Sequence, residues 1–114
     1  MGTTVNEEMR SAATICLMRL YTYVDNLRAY NVFIDGAFVG RIRQGTTRTY
    51  NVQPGYHTVI LRVDWLRSPN ITVDCAADDV VRLICSGQPN PVRAVFRMVF
   101  AADRYIKLRC EFRE

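Results

Sequence analysis

Lysine is nearly absent from this chain: Lys107 is the single one among fifteen basic residues, and all the others are arginine. Histidine and tryptophan occur once each, as His57 and Trp65. The four cysteines, Cys16, Cys75, Cys85 and Cys110, are scattered, with no C-x-x-C and no His-Cys pair, which leaves a zinc site without its usual ligand spacing. No apolar run approaches the ~20 residues that a membrane-crossing helix needs. The opening MGTTVNEEMRSAAT has neither the basic nor the apolar segment of a secretory leader, and Asn6 stands where a myristoylation signal has Ser or Thr. The chain as it stands therefore reads as cytoplasmic, and as membrane-associated if it belongs to a longer protein. No catalytic signature is present, and no cofactor is expected.

What the chain does have is apolar residues, 49% of 114, enough for one compact domain with a core. Its formal charge is +4. Arginine in place of lysine suits bidentate binding of phosphates and carboxylates, although it also follows from a GC-rich genome. The arginines form no run and acids such as Asp25, Asp35, Asp64 and Asp74 are interspersed among them, so a mixed solvated surface is expected and a nucleic-acid partner is not.

Alternation of apolar and polar residues with period two dominates. Thr14 to Leu20 reads as a first strand after a polar tail, residues 1–12, expected to be mobile. Tyr30–Ile34, Ala37–Arg43, Thr46–Val52 and Tyr56–Val63 then read as four strands of a meander. Asp35-Gly36 suits a type I′ hairpin turn, Gln44-Gly45 a second turn, and Gln53-Pro54-Gly55 a type II turn. Asp64–Asn70 breaks the pattern as a loop or strand switch. Ile71–Cys75 and Val80–Cys85 are expected to form a hairpin around Asp78-Asp79. In that register Cys75 and Cys85 lie too far apart for a disulfide, so free, mostly buried thiols follow. Gly87, Pro89 and Pro91 break the chain again. Residues 92–100 fit either a helical stripe or a strand, with strand favoured. Ile106, Leu108, Cys110 and Phe112 alternate with charged residues as a last, half-buried strand. Residues 13–114 thus read as a single all-β domain, a β-sandwich of about eight short, mostly antiparallel strands, with a small β-barrel as the alternative. Its exposed sheet edges suit a homodimer made by strand addition.

Gly40 to Thr47, GRIRQGTT, nearly matches a phosphate loop. Thr46 stands where the lysine belongs, and the segment joins two strands rather than opening a helix, so its glycines read as turn residues. His57 follows a tight turn and shares its face with Val59 and Leu61. That suits a half-buried ring bonded to a backbone carbonyl better than a general base paired with a cysteine or serine. Asp74, Asp78 and Asp79 lack the glycine and closing glutamate of a calcium loop and read as a solvated tip. Asn70-Ile71-Thr72 is a glycosylation sequon with meaning only in a secreted protein. Tyr30 and Tyr50 lie within strands and are assigned to packing, whereas Trp65, in a break, is the aromatic residue expected at the surface. Arg41, Arg43 and Arg48 flank the Gly45 turn and are expected to meet across it as a basic patch, the best binding candidate together with Trp65.

Asp35-Gly36, Val39-Gly40, Pro54-Gly55 and His57 complete a pattern over residues 32–63. It resembles the PEGA-type β modules of bacterial proteins, with Gln53-Pro54-Gly55-Tyr56 in place of the naming tetrad. The resemblance implies a short non-catalytic β unit in which the turns and His57 are structural. The expected function is accordingly a non-catalytic bacterial module for protein–protein interaction or ligand binding. The alternatives are a polyanion binder using the arginine hairpin and a small enzyme using His57 with a Cys or Ser.

Overall fold

The computed structural model describes residues 12–21, 28–87, 94, 98 and 102–113. Among these residues nine strands follow one another: β1 (Ala13–Arg19), β2 (Tyr30–Ile34), β3 (Ala37–Ile42), β4 (Thr47–Val52), β5 (Gly55–Val63), β6 (Leu66–Arg67), β7 (Ile71–Cys75), β8 (Val80–Ser86) and β9 (Lys107–Arg113). They form two sheets packed face to face, a β-sandwich and not a closed barrel. One sheet has the order β4-β1-β8-β9, and the other β3-β2-β5-β6 with β7 also on β5. We call them the first and second sheet. All pairings are antiparallel except that of β1 with β8. The expected mobile tail lies, but for Ala12, outside the described residues.

The core is the set of alternate residues that each sheet turns inward. From the first sheet come Ala13, Ile15, Leu17, Val81, Leu83 and Cys85; from the second come Tyr30, Val32, Ile34, Ile42, Val59, Leu61, Val63, Leu66, Val73 and Cys75. Each large aliphatic side chain buried there contributes roughly 1.5–3 kcal/mol, which is what holds two otherwise separate sheets together. Arg19 is also wholly buried, facing inward beside Cys85. Its Nη1 donates to the carbonyl of Ile42 at 3.1 Å and to that of Arg28 at 2.6 Å, while its guanidinium lies 3.6 Å from the centre of the Tyr30 ring.

Three expected pairings are replaced. The four strands from Tyr30 are not a meander, because β3 and β4 belong to different sheets, and so do β4 and β5. Gln44-Gly45 and Gln53-Pro54 therefore carry the chain across the sandwich. Gly45 has the positive φ a turn requires, 71°, but Gly55 has 129°, outside the type II range of ~80°. Likewise β7 and β8 do not form a hairpin: the Asp78-Asp79 tip crosses between sheets and is tied to β1 by Asp78 N–H donating to the Ala12 carbonyl and Thr14 N–H to that of Asp79. Local turn chemistry is the same for a hairpin and a sheet crossing, so sequence alone did not separate them. Among residues 92–100, where a strand was favoured, only Ala94 and Met98 are described. Both have helical backbone and pack on the core, a spacing of four that puts them on one helix side.

The Asp35-Gly36 hairpin does form. Asp35 has φ 53° and Gly36 φ 81°, the left-handed pair of a type I′ turn, and Ile34 pairs Ala37 across it. The phosphate-loop reading ends at Gly40, which is a bulge residue with φ 143°. The register shifts there so that Val39 is the extra residue between the pairs Val32–Gly40 and Phe33–Phe38. A second irregularity lies within Asp64–Asn70, where a loop or strand switch is expected. Both β6 and β7 run along the same side of β5, and between them the register slips by one residue at Pro69-Asn70. Ser68 bridges the gap: its N–H donates to the Leu61 carbonyl, and its hydroxyl accepts from the Leu61 N–H, both at 2.9 Å.

Candidate functional site

All four cysteines are free; Cys16, Cys75 and Cys85 are buried and Cys110 is exposed. Cys110 keeps the alternating register of β9, opposite the buried Leu83 with Glu111 as the extra residue of a bulge beyond it, yet it is exposed on this last strand of the sheet. Burial pushes the Cys85 thiol up to about 12, against the opposing charge of Arg19, so this sulfur stays protonated and unreactive at neutral pH.

His57 sits at the rim of the core on β5. Its Nδ1 lies 2.6 Å from an Asp35 carboxylate oxygen, and its Nε2 lies 2.5 Å from the Gln53 carbonyl. Both partners can only accept, so both bonds form only when the ring carries two protons. Burial of the ring opposes that charge. The bonds to Asp35 and Gln53 and the charge of Asp35 outweigh it, and the His57 pKa rises above its ordinary 6.5. Asp35 is held below the usual carboxylate value, first by the His57 bond and then by the Thr58 amide; burial opposes them, and the imidazolium charge adds a smaller contribution in their favour. The same carboxylate accepts the Thr58 N–H at 2.9 Å while the Asp35 N–H donates to the Thr58 carbonyl at 2.8 Å. A carbonyl thus occupies the ring nitrogen that a general base would turn toward a nucleophile. The residues join the β2–β3 turn to the start of β5, as a clasp.

The candidate basic patch is divided. Arg41 lies on β3 in the second sheet and Arg48 on β4 in the first, opposite Leu17; Arg43 is exposed in the crossing between them. Trp65 is 64% exposed, as expected, at the tip of the β5–β6 turn, and its Nε1–H donates to the Met98 carbonyl. Beside it Asp64, with φ 53°, pairs with Arg28 at 2.6 Å. Among the described residues no three His, Cys, Asp or Glu side chains converge as a metal site.

The register of the second sheet instead assembles a patch that local sequence did not group. Asn31 pairs with Arg41 on one side and Arg62 on the other, and Arg62 pairs with Arg67. Directly paired residues share a face, so Arg41, Asn31, Arg62 and Arg67 form one row across four strands on the outer face. All three arginines are exposed, and among the described residues none has a carboxylate partner. Two residues further along β2 and β5, and three along the bulged β3, ~6.8 Å away, runs a second row: Phe38, Phe33 and Ile60. Phe38 is 56% exposed, its ring centre 5.8 Å from that of Phe33, and the Arg62 guanidinium lies 5.1 Å from the Phe33 ring. A depression of about 240 Å³ opens beside the rows at the β6–β7 bulge, lined by Ile60, Arg62, Arg67, Pro69, Asn70 and Asp103 among others. Alternation puts Arg62 outside from sequence alone; the row needs the pairing register, which is a long-range property.

Comparison with protein-family models, curated proteins and solved structures finds no match to this chain. Among the described residues no helix is long and apolar enough to cross a membrane.

Proposed function

We propose that this protein is a non-catalytic binding module that uses the outer face of its second sheet to hold an anionic partner. The observation that carries this reading is the row of Arg41, Arg62 and Arg67, exposed, without a carboxylate partner among the described residues and edged by Phe38. Like charges set directly opposite one another, as Arg62 and Arg67 are, weaken a sheet by roughly 0.2–1 kcal/mol. A bound anion would remove that repulsion. The saturated His57 ring and the protonated Cys85 support a function without catalysis. So does the resemblance of residues 32–63 to PEGA-type modules, in which the turns are scaffold.

The test is an NMR titration of the ¹⁵N-labelled protein with heparin as a generic polyanion. Shifts centred on Asn31, Arg41, Arg62 and Arg67 are expected. Shifts centred on the first sheet, or none at all, would sink the reading.

A further inference from the structure

We infer that the anionic partner of this face is a single-stranded nucleic acid, an inference that rests on the binding reading above and names its ligand class. Composition alone points to a mixed solvated surface, but the register gathers exposed arginines from three strands into one row. A polyanion of any kind would match that charge. The neighbouring row narrows the choice. Phe38 presents more than half its surface to solvent, beside Phe33, whose ring Arg62 already covers at 5.1 Å. Aromatic faces and guanidinium planes side by side are what unstacked bases and their phosphates require together: phosphates neutralised along one row, bases stacked along the next. A membrane surface would not need ring faces aligned with a charged row. Guanidinium groups bind carboxylates and phosphates alike in bidentate fashion, so it is the exposed Phe38 ring beside the row, with no base to stack on it in an acidic peptide, that favours a nucleic acid. Duplex DNA is disfavoured by shape, because a broad sheet face does not enter the major groove as a helix or a two-stranded ribbon does. The depression at the β6–β7 bulge adds neutral donors and acceptors at Asn70, and an acceptor at Asp103, where a base edge or sugar hydroxyl could bond.

The experiment is fluorescence anisotropy with labelled oligo(dU) and oligo(rU) of about twelve nucleotides, which differ only in the 2′-hydroxyl. Heparin and anionic phospholipid vesicles serve as parallel probes. Three phosphate contacts give a logarithmic salt slope near −2, so affinity should fall about twenty-fold between roughly 50 and 200 mM salt. Arg62→Ala should reduce that slope by about 0.7. Phe38→Ala, at an exposed site that leaves the fold intact, should weaken binding about ten-fold while leaving the slope unchanged. A preference between the two oligonucleotides distinguishes RNA from DNA as the source of the ligand. If neither oligonucleotide binds while heparin binds and loses affinity with Arg62→Ala and Arg67→Ala, the nucleic-acid inference falls and the anionic-face reading stands. Preference for vesicles over both oligonucleotides also overturns the inference. Oligonucleotide and heparin binding both absent, or both indifferent to the arginine variants, overturns inference and reading together.

Discussion

Arg19 and the row of Arg41, Arg62 and Arg67 put the same guanidinium group in opposite surroundings. Arg19 is wholly enclosed, gives hydrogen bonds to two backbone carbonyls from β3 and the segment before β2, and lies against Tyr30. The row is in water, on the outer face of the second sheet, whereas Arg19 comes from the first; its charges are set beside one another, and among the described residues no carboxylate forms an ion pair with them, Asp103 only lining the depression beside Arg62 and Arg67. Within the core an arginine is tolerated because the fold supplies acceptors and a ring face to replace its water. On the outer face the fold supplies nothing of the kind except Phe33. The difference teaches that the buried arginine serves the fold and that the exposed ones are better explained by something outside it.

The largest expected effect tests the buried half of this contrast. Arg19→Met should destabilise the protein by about 3 kcal/mol, since it leaves the Ile42 and Arg28 carbonyls without their donor at ~1–3 kcal/mol each. A lowered urea midpoint with an unchanged slope would register it; an unaltered midpoint would mean that Arg19 is not a structural anchor. The Asp35–His57 clasp comes next. His57→Phe should cost about 1–2 kcal/mol at pH 6, by the loss of two hydrogen bonds. The sign of its pH dependence follows from the two shifts. The raised His57 pKa gives stability that is full below 6.5 and is lost as pH rises through the folded value. The lowered Asp35 pKa gives stability present above 3.8 and lost as pH falls through the folded value. The clasp is therefore strongest between 3.8 and 6.5, and the gap between wild type and His57→Phe, followed by urea denaturation against pH, should narrow above that window. A gap that widens toward pH 8 would refute the doubly protonated ring.

Arg67→Thr sharpens the exposed half. Removing a charge that faces Arg62 should leave stability unchanged or raise it by roughly 0.2–1 kcal/mol. A thermal scan that instead shows a loss would give the row a structural role. The smallest effect is expected at Tyr50, whose buried hydroxyl has no hydrogen-bond partner among the described residues and whose ionisation burial disfavours, despite the charge of Arg48. Tyr50→Phe should be neutral or slightly stabilising, because it removes a dry polar group and leaves the ring packed; a clear fall in the melting temperature would contradict this.

Strand positions were legible because alternation and turn residues are local. Tyr30–Ile34 and Ile71–Cys75 match the residues that β-branched and aromatic content marks, and Asp35-Gly36 makes the hairpin its φ preferences demand. Sheet membership was not legible, since Gln44-Gly45 and Asp78-Asp79 turn the chain equally well within a sheet or between two. The same limit hid the candidate surface. Arg41 was singled out for a neighbourhood with Arg43 and Arg48, whereas its row companions Arg62 and Arg67 lie some twenty residues later and meet it only through Asn31. The structural reading of His57 needed only its place after Pro54-Gly55 and its face. Its partner Asp35 was visible as a turn residue but not as the carboxylate that holds the ring.

The most direct test of the central claim, that the outer row is kept for a partner and not for the fold, is to measure heparin affinity and urea stability on one variant, Arg41→Ala/Arg62→Ala/Arg67→Ala. The account predicts that salt-sensitive binding is lost while the urea midpoint stays level or rises. A variant that still binds, or that loses binding only in step with its stability, would contradict it.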